Sequence, residues 1–124
     1  MAVHYEFRGE ASDITMVVLT GQLNLGNRLM ELEHQIKQHI EEGARKMVLD
    51  MTGLTYIDSA GLGTVATCAG IISKAGGKLV VVTAGGKIAQ MFQLTRMDHL
   101  IGVYSDSSTA CAALTQFSAK ASGT

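Results

Sequence analysis

Strands and helices are predicted to alternate along the chain, because its apolar positions switch between continuous runs and a helical period. Apolar runs predict strands at residues 3–8, 14–19, 45–50, 78–83 and 100–104. Helical spacing predicts helices from about Arg28 to Gly43, from Ser59 to about Lys74, around residues 88–95, and from the Ser105–Ser108 capping segment through Phe117. Between these elements, residues 20–27 are predicted as a turn-rich connector and residues 51–58 as a loop.

This order of elements predicts one α/β domain. The first two strands are joined by a short polar turn and read as a hairpin, and the second, which is nearly all apolar, is expected to be central in the sheet. The strands that follow alternate with helices, which favours parallel pairing with right-handed crossovers. We therefore expect a mostly parallel mixed β-sheet with an N-terminal antiparallel strand, packed against about four helices. The domain is expected to span residues 1–117, with a frayed polar tail at 118–124.

Composition narrows the classes of function. The 124 residues are 47% hydrophobic but only 5% aromatic, so the core is expected to be aliphatic. The net charge is −1 and no basic patch is present, which argues against a nucleic-acid partner. No apolar run approaches the roughly 18 residues of a membrane span, and the first residues lack a signal-peptide pattern. We expect no membrane insertion and a cytoplasmic location.

Cysteine spacing gives no sign of a metal or redox site. Cys68 lies in the second predicted helix and Cys111 in the Ala-rich last one, far apart in the sequence. Cysteine is commonly buried as a small apolar residue. We therefore expect two reduced, structural thiols and no bound metal.

Ser59 is the first residue that calls for a functional explanation. It follows a predicted strand and the loop after it, and it stands at the first turn of a predicted helix, where free N–H groups and the helix dipole favour an anion. A phosphate on its hydroxyl would carry roughly −1.5 to −2 charges there. The sequence favours neither of two roles for the neighbouring Asp58. Its carboxylate could accept a loop or capping hydrogen bond, or it could position Ser59 or contact a cation of a partner.

Catalytic and nucleotide-binding interpretations fit poorly. Gly61–Ala66 matches a relaxed GxGxxA fingerprint, but it lies eleven residues beyond Asp50 and lacks the later acidic residue. Gly85–Lys87 resembles the end of a phosphate-binding loop, but it continues with Ile88 and reads as a turn into a helix. A nucleophilic Ser59 would need a general base, and the sequence does not indicate any of its histidines as that base. We expect no enzyme activity and no cofactor.

The chain resembles the STAS family, in particular bacterial anti-sigma factor antagonists of the sporulation and general-stress type. The Tyr56-Ile-Asp-Ser-Ala-Gly-Leu-Gly63 segment is the most specific part of the likeness, which covers nearly the whole chain. The other matching stretches are residues 19–23, 48–51, 77–82 and 88–104, followed by the Ala-rich final helix.

This resemblance implies a protein that switches partners. In the family, the serine matching Ser59 is phosphorylated by an anti-sigma factor that is a serine kinase with a histidine-kinase-like ATPase fold. The unphosphorylated antagonist binds that factor and frees a sigma factor, and a phosphatase resets the phosphorylated form. We expect Thr20–Asn24 to lie beside the Ser59 loop. The expected partner-contacting residues are Gly21, Gln22, Asn24, Asp58, Ser59, Ala60, Gly61 and Leu62.

Two positions depart from the family pattern. Asn24 stands where many members have Asp, and a neutral amide is expected to weaken partner docking or phosphorylation. Ala60 replaces a commoner second Ser, which removes an alternative phosphate acceptor. Two other functions stay open: a non-switching STAS scaffold subunit of a stress-signalling or lipid-transport complex, and a small-molecule or nucleotide binder that uses the Gly-rich turns. Self-association is also left open.

Overall fold

The computed structural model describes residues 3–9 and 13–117, except for the side chain of Asn27; the tail predicted at 118–124 lies outside this range. The described residues form five β-strands, four α-helices and one 3₁₀-helix at Met97–His99. The strands are β1 His4–Gly9, β2 Ile14–Leu23, β3 Lys46–Ile57, β4 Lys78–Val82 and β5 Gly102–Tyr104. The α-helices are α1 Asn27–Glu41, α2 Ser59–Lys74, α3 Gly86–Leu94 and α4 Ser107–Gln116.

The strands lie in the sheet in the order in which they occur in the chain, β1-β2-β3-β4-β5. β1 is antiparallel to β2, and every later neighbouring pair is parallel. This arrangement confirms the predicted α/β class with its antiparallel first strand. β2 lies between two neighbours and is buried on both faces, with Val17 and Leu19 on one face and Ile14 and Met16 on the other, which explains its nearly continuous apolar sequence.

Two strands are longer than predicted. Thr20–Leu23 continues β2, and Met51–Ile57 continues β3, so the predicted turn-rich connector and loop are wrong over these residues. The two extensions pair with each other, for example Thr20 with Gly53 and Leu23 with Ile57, across two irregularities in register. Glycine and threonine interrupt the apolar pattern here, while pairing supplies the backbone hydrogen bonds that hold both segments extended.

Helices cover the two faces of the sheet unequally. One face packs against α1, α2 and α3, and the stripe predicted for α1 is buried there, at Leu29, Leu32, Ile36 and Ile40. Of the described helices, α4 alone packs against the other face. Its buried cluster consists of Ile14, Met16, Val48, Val80, Val82, Ala110 and Leu114. Successive residues of β3 and β4 alternate between the two clusters, as the two-residue period of a strand requires.

Neither Cys68 nor Cys111 forms a disulfide bond. Cys68 is buried in the larger cluster, where desolvation, with a smaller contribution from the Glu33 charge, raises the pKa of its thiol to about 12. A thiol with such a pKa is fully protonated at neutral pH and is a poor nucleophile. Cys68 therefore fills space in the core. No helix within residues 3–9 and 13–117 has the length and apolar character needed to cross a membrane.

Candidate functional site

Ser59 is the first residue of α2 and is exposed to solvent. β3 ends two residues earlier at Ile57, so a single residue, Asp58, connects the strand to the helix. This position confirms that Ser59 stands at a helix N-terminus after a strand. Its hydroxyl is open to a second protein.

Asp58 joins the helix to the neighbouring loop. One carboxylate oxygen, Oδ1, accepts a hydrogen bond from the Gly61 amide at 2.8 Å and caps α2. The other, Oδ2, accepts from the Leu25 amide at 3.1 Å, across 33 residues of sequence. The Asp58 amide in turn donates to the Leu23 carbonyl at 3.2 Å. The capping interpretation of Asp58 is thus correct, and the bond to Leu25 is an addition that no local pattern in the sequence indicates.

The Asp58 carboxyl is held in its ionised form. Partial desolvation acts to raise its pKa, but hydrogen bonds from the Gly61, Leu25 and Ala60 amides together outweigh it, and the pKa lies below its usual value. The carboxylate therefore already occupies amides that an anion at this helix end would use. A phosphate on Ser59 would meet a negative neighbour as well as the positive end of the helix.

Gly61 allows α2 to approach β2 closely. A Cβ atom at this position would lie 2.3 Å from the Leu23 carbonyl oxygen and 2.9 Å from the Ile57 side chain. Leu62 follows with its side chain in the core, 4% exposed. Both residues were expected at a partner-contacting surface, and the structure places both in the interior. They fix the helix to the sheet and so hold Ser59 in place.

The end of β2 lies beside this helix start, as expected for Thr20–Asn24. The Gly21 carbonyl accepts a hydrogen bond from the Thr55 hydroxyl at 3.1 Å. The Asn24 amide donates to the Gln22 side-chain oxygen at 3.3 Å. Gly21, Gln22 and Asn24 are all half-buried.

Two exposed apolar residues at this surface were not anticipated. Leu25 is 77% exposed and Tyr56 is 49% exposed, and they stand on the two segments that meet at Asp58. Tyrosine is one of the residues that most often carry binding energy in protein interfaces, and an exposed leucine beside it adds apolar area. The sequence does not show that Tyr56 is exposed, because it lies in the extension of β3, whose pairing with β2 no local pattern indicates.

Other chemistries find no support at this surface. Within the residues that the structure describes, no group of three His, Cys, Asp or Glu side chains is placed to hold a metal ion. Gly85 and Gly86 form the turn into α3, as predicted for a segment that only resembles a phosphate-binding loop. At Ser59 the structure places an exposed side chain on the first residue of a helix that packs closely against the sheet at Gly61.

Comparison with known protein families matches residues 9–110 to the STAS domain. The chain belongs to the STAS family. Among its relatives is BtrV of Bordetella bronchiseptica, provisionally named an anti-sigma factor antagonist, which is 30% identical over 95 residues. That match covers 77% of this chain and 81% of BtrV.

Solved structures share the STAS fold of this chain. An anti-sigma factor antagonist from Mycobacterium paratuberculosis superposes with a TM-score of 0.81 at 19% identity, covering 93% of this chain and 96% of that one. SpoIIAA of Bacillus, solved in its phosphorylated form, superposes with a TM-score of 0.71 at 14% identity. That match covers 89% of this chain and 99% of SpoIIAA. At these identities the likeness establishes the fold.

Asp58→Asn is expected to lower the free energy of unfolding at pH 7 by about 1 kcal/mol, because the side-chain NH2 that replaces one carboxylate oxygen cannot accept the hydrogen bond from the Leu25 amide and the start of α2 loses a neighbouring negative charge. Because the folded-state pKa of Asp58 is lowered, its contribution is present above the unfolded value near 3.9 and is lost as the pH falls through the folded value. Urea unfolding should therefore show the difference between the variant and the wild type shrinking below about pH 4.

Asp106→Asn is the matched control, since Asp106 caps α4 through the Thr109 amide at 2.8 Å. Hydrogen exchange of the Leu25 amide should accelerate in Asp58→Asn and stay unchanged in Asp106→Asn. Equal protection of Leu25 in both variants would contradict a linking role for Asp58.

Proposed function

We propose that this protein is an anti-sigma factor antagonist that binds an anti-sigma factor through the surface around Ser59 and so frees a sigma factor. Phosphorylation of Ser59 by that factor, acting as a serine kinase, ends the binding, and a phosphatase restores it. The observation that carries the proposal is the exposed Ser59 hydroxyl on the first residue of α2 in a STAS domain. In this proposal the protein is a cytoplasmic substrate of enzymes and has no activity of its own.

The surroundings of Ser59 suit a docking surface. Asp58 ties the loop at Leu25 to the start of α2, so the two segments that flank Ser59 are presented as one rigid unit. Leu25 and Tyr56 offer apolar area, and Ala60 and Asn24 add smaller, partly exposed contacts beside it. A surface that is ordered before binding loses less conformational entropy when a partner docks.

A phosphate at this place would oppose docking for two reasons. The group would have to leave water inside the interface, which is costly for a dianion unless the partner supplies cations. It would also stand next to the Asp58 carboxylate, whose low pKa keeps it negative at neutral pH. A loss of about 2.7 kcal/mol is enough to weaken binding a hundredfold. SpoIIAA, which has this fold, exists in a phosphorylated form.

A pull-down experiment tests the proposal. Each bait is immobilised and incubated with a lysate of the organism that encodes the protein; the baits are wild type, Ser59→Ala, Ser59→Glu and Ser73→Glu. Ser73 is an exposed serine in the last turn of α2, so Ser73→Glu adds the same charge to the same helix. Mass spectrometry should identify an ATPase with a histidine-kinase-like domain on every bait except Ser59→Glu.

Addition of ATP to the purified pair should then place phosphate on Ser59 and release the complex, while Ser59→Ala stays bound and unmodified. If Ser59→Glu retains the same proteins as the wild type, the switch is refuted. The protein would then be a scaffold subunit in which Ser59 only begins a helix.

A further inference from the structure

β1 is an edge strand with an open side. β2 pairs with it on one side, and no strand among the described residues pairs with it on the other. It is six residues long, whereas β5 at the opposite edge has three. An open edge presents a row of backbone N–H and C=O groups that can pair with another strand.

The side chains of β1 differ between its two faces. Tyr5 and Phe7 are half-buried on the face that carries α1, where the Phe7 ring stacks on His39 with centroids 4.0 Å apart. Glu6 and Arg8 point to the opposite face and form an ion pair at 3.1 Å. The side chains of Glu6 and Arg8 remain 62% and 54% exposed in this ion pair.

Geometry restricts how two copies of β1 can pair. In a symmetric antiparallel pair, opposed residues must point to the same face of the sheet, so one residue of β1 has to lie on the two-fold axis. Glu6 or Arg8 on the axis would oppose two like charges, which is unfavourable. His4 or Tyr5 on the axis would leave Arg8 beyond the paired segment, and Gly9 on the axis would leave Glu6 beyond it. Phe7 on the axis sets Glu6 of each copy opposite Arg8 of the other.

We propose that this protein forms a symmetric dimer in which β1 pairs antiparallel with β1 of a second copy, with Phe7 on the two-fold axis. The two sheets then join into one continuous sheet of ten strands, built from the five described strands of each copy. Two opposite-charge pairs cross the interface on one face. The two Phe7 rings meet on the other face, where directly opposed aromatic side chains stabilise a strand pair.

A third contact supports the same register. With Phe7 on the axis, Tyr5 of each copy lies opposite Gly9 of the other. A Cβ atom at Gly9 would meet nothing within 4 Å, so there is open space above this residue for the Tyr5 ring. An aromatic side chain opposite an edge glycine is a known stabilising pair in sheets. Charge, aromatic and glycine positions therefore all select one alignment.

The dimer is expected to be weak, because one short strand from each copy buries less surface than the roughly 1,200 Å² of stable complexes. Sedimentation velocity from about 10 µM to about 1 mM should show reversible dimerisation of the wild type. Glu6→Arg and Arg8→Glu should each raise the dimer dissociation constant at least about tenfold, since each opposes like charges twice.

An equimolar mixture of Glu6→Arg and Arg8→Glu should dimerise again, because all its crossing charges are opposite. Glu41→Arg, the same charge change at an exposed residue of α1, is the control and should behave as wild type. A wild type that is monomeric at about 1 mM, or a dimer that the single substitutions leave intact, overturns the proposal. A mixture that stays monomeric also overturns it, because the Phe7-centred register requires this rescue.

Discussion

Gly61→Ala is expected to lower the free energy of unfolding by at least about 3 kcal/mol, the upper part of the range for overpacked interiors. The added methyl group would stand 2.3 Å from the Leu23 carbonyl oxygen, which belongs to the backbone of β2 and cannot turn away. Relief requires the start of α2 to move off the sheet. Such a movement would also stretch the bond between Asp58 and Leu25, so partner binding at Ser59 should fall together with stability.

Gly63→Ala, two residues later, is the control, and it is expected to change the free energy of unfolding in the opposite direction. A Cβ atom at Gly63 meets nothing within 4 Å, and the residue lies inside α2. Replacing such a glycine by alanine stabilises a helix by roughly 0.5–1 kcal/mol. Urea unfolding of the two variants should therefore shift the midpoint in opposite directions. Equal shifts would mean that α2 does not approach β2 as closely as described.

Leu114→Ala is expected to cost about 3 kcal/mol of unfolding free energy, within the usual range for a leucine truncated in a core. Leu114 is fully buried, and α4 is the single helix among the described residues that covers this face of the sheet. Few neighbouring side chains can close the cavity, because the cluster is small and lies mostly on the stiff strands. Thermal and urea unfolding should both report the loss, together with increased binding of an apolar dye to the exposed strands.

Gln116→Ala is the control for Leu114→Ala. Gln116 lies two residues later at the exposed end of α4, where a substitution changes stability by less than about 0.5 kcal/mol. If both variants unfold at the same urea concentration, α4 contributes little to the second face, and the described packing of that face is wrong.

Most of the fold follows from the apolar pattern. The stripe from Leu29 to Ile40 repeats with the period of a helix, and β4 is a short continuous apolar run, which is typical of a strand buried on both faces, so local sequence is enough to identify them. The second halves of β2 and β3 are different. Gly21 and Gly53 have weak strand propensity, and these segments are extended because they pair with each other. A pairing between segments about thirty residues apart leaves no periodic signal in either one.

The candidate site was predictable to a similar degree. The position of Ser59 at a helix start could be read from the strand and helix around it. The burial of Gly61 and Leu62 could not be predicted from the sequence, because the contact of Gly61 with Leu23 depends on the unpredicted extension of β2. The bond from Leu25 to Asp58 depends on the same extension. Errors about the site therefore have one physical origin, a long-range strand pairing.

The helix that covers the second face of the sheet is also the last of the described elements to leave the ribosome. A nascent chain that has emerged as far as β5 contains the whole sheet and all three helices of the first face. It still exposes Val48, Val80 and Val82, which α4 covers in the described structure. Domains generally fold as units during synthesis, and exposed apolar strands favour aggregation. A chaperone is therefore expected to engage this chain once β5 has emerged and to leave when α4 docks.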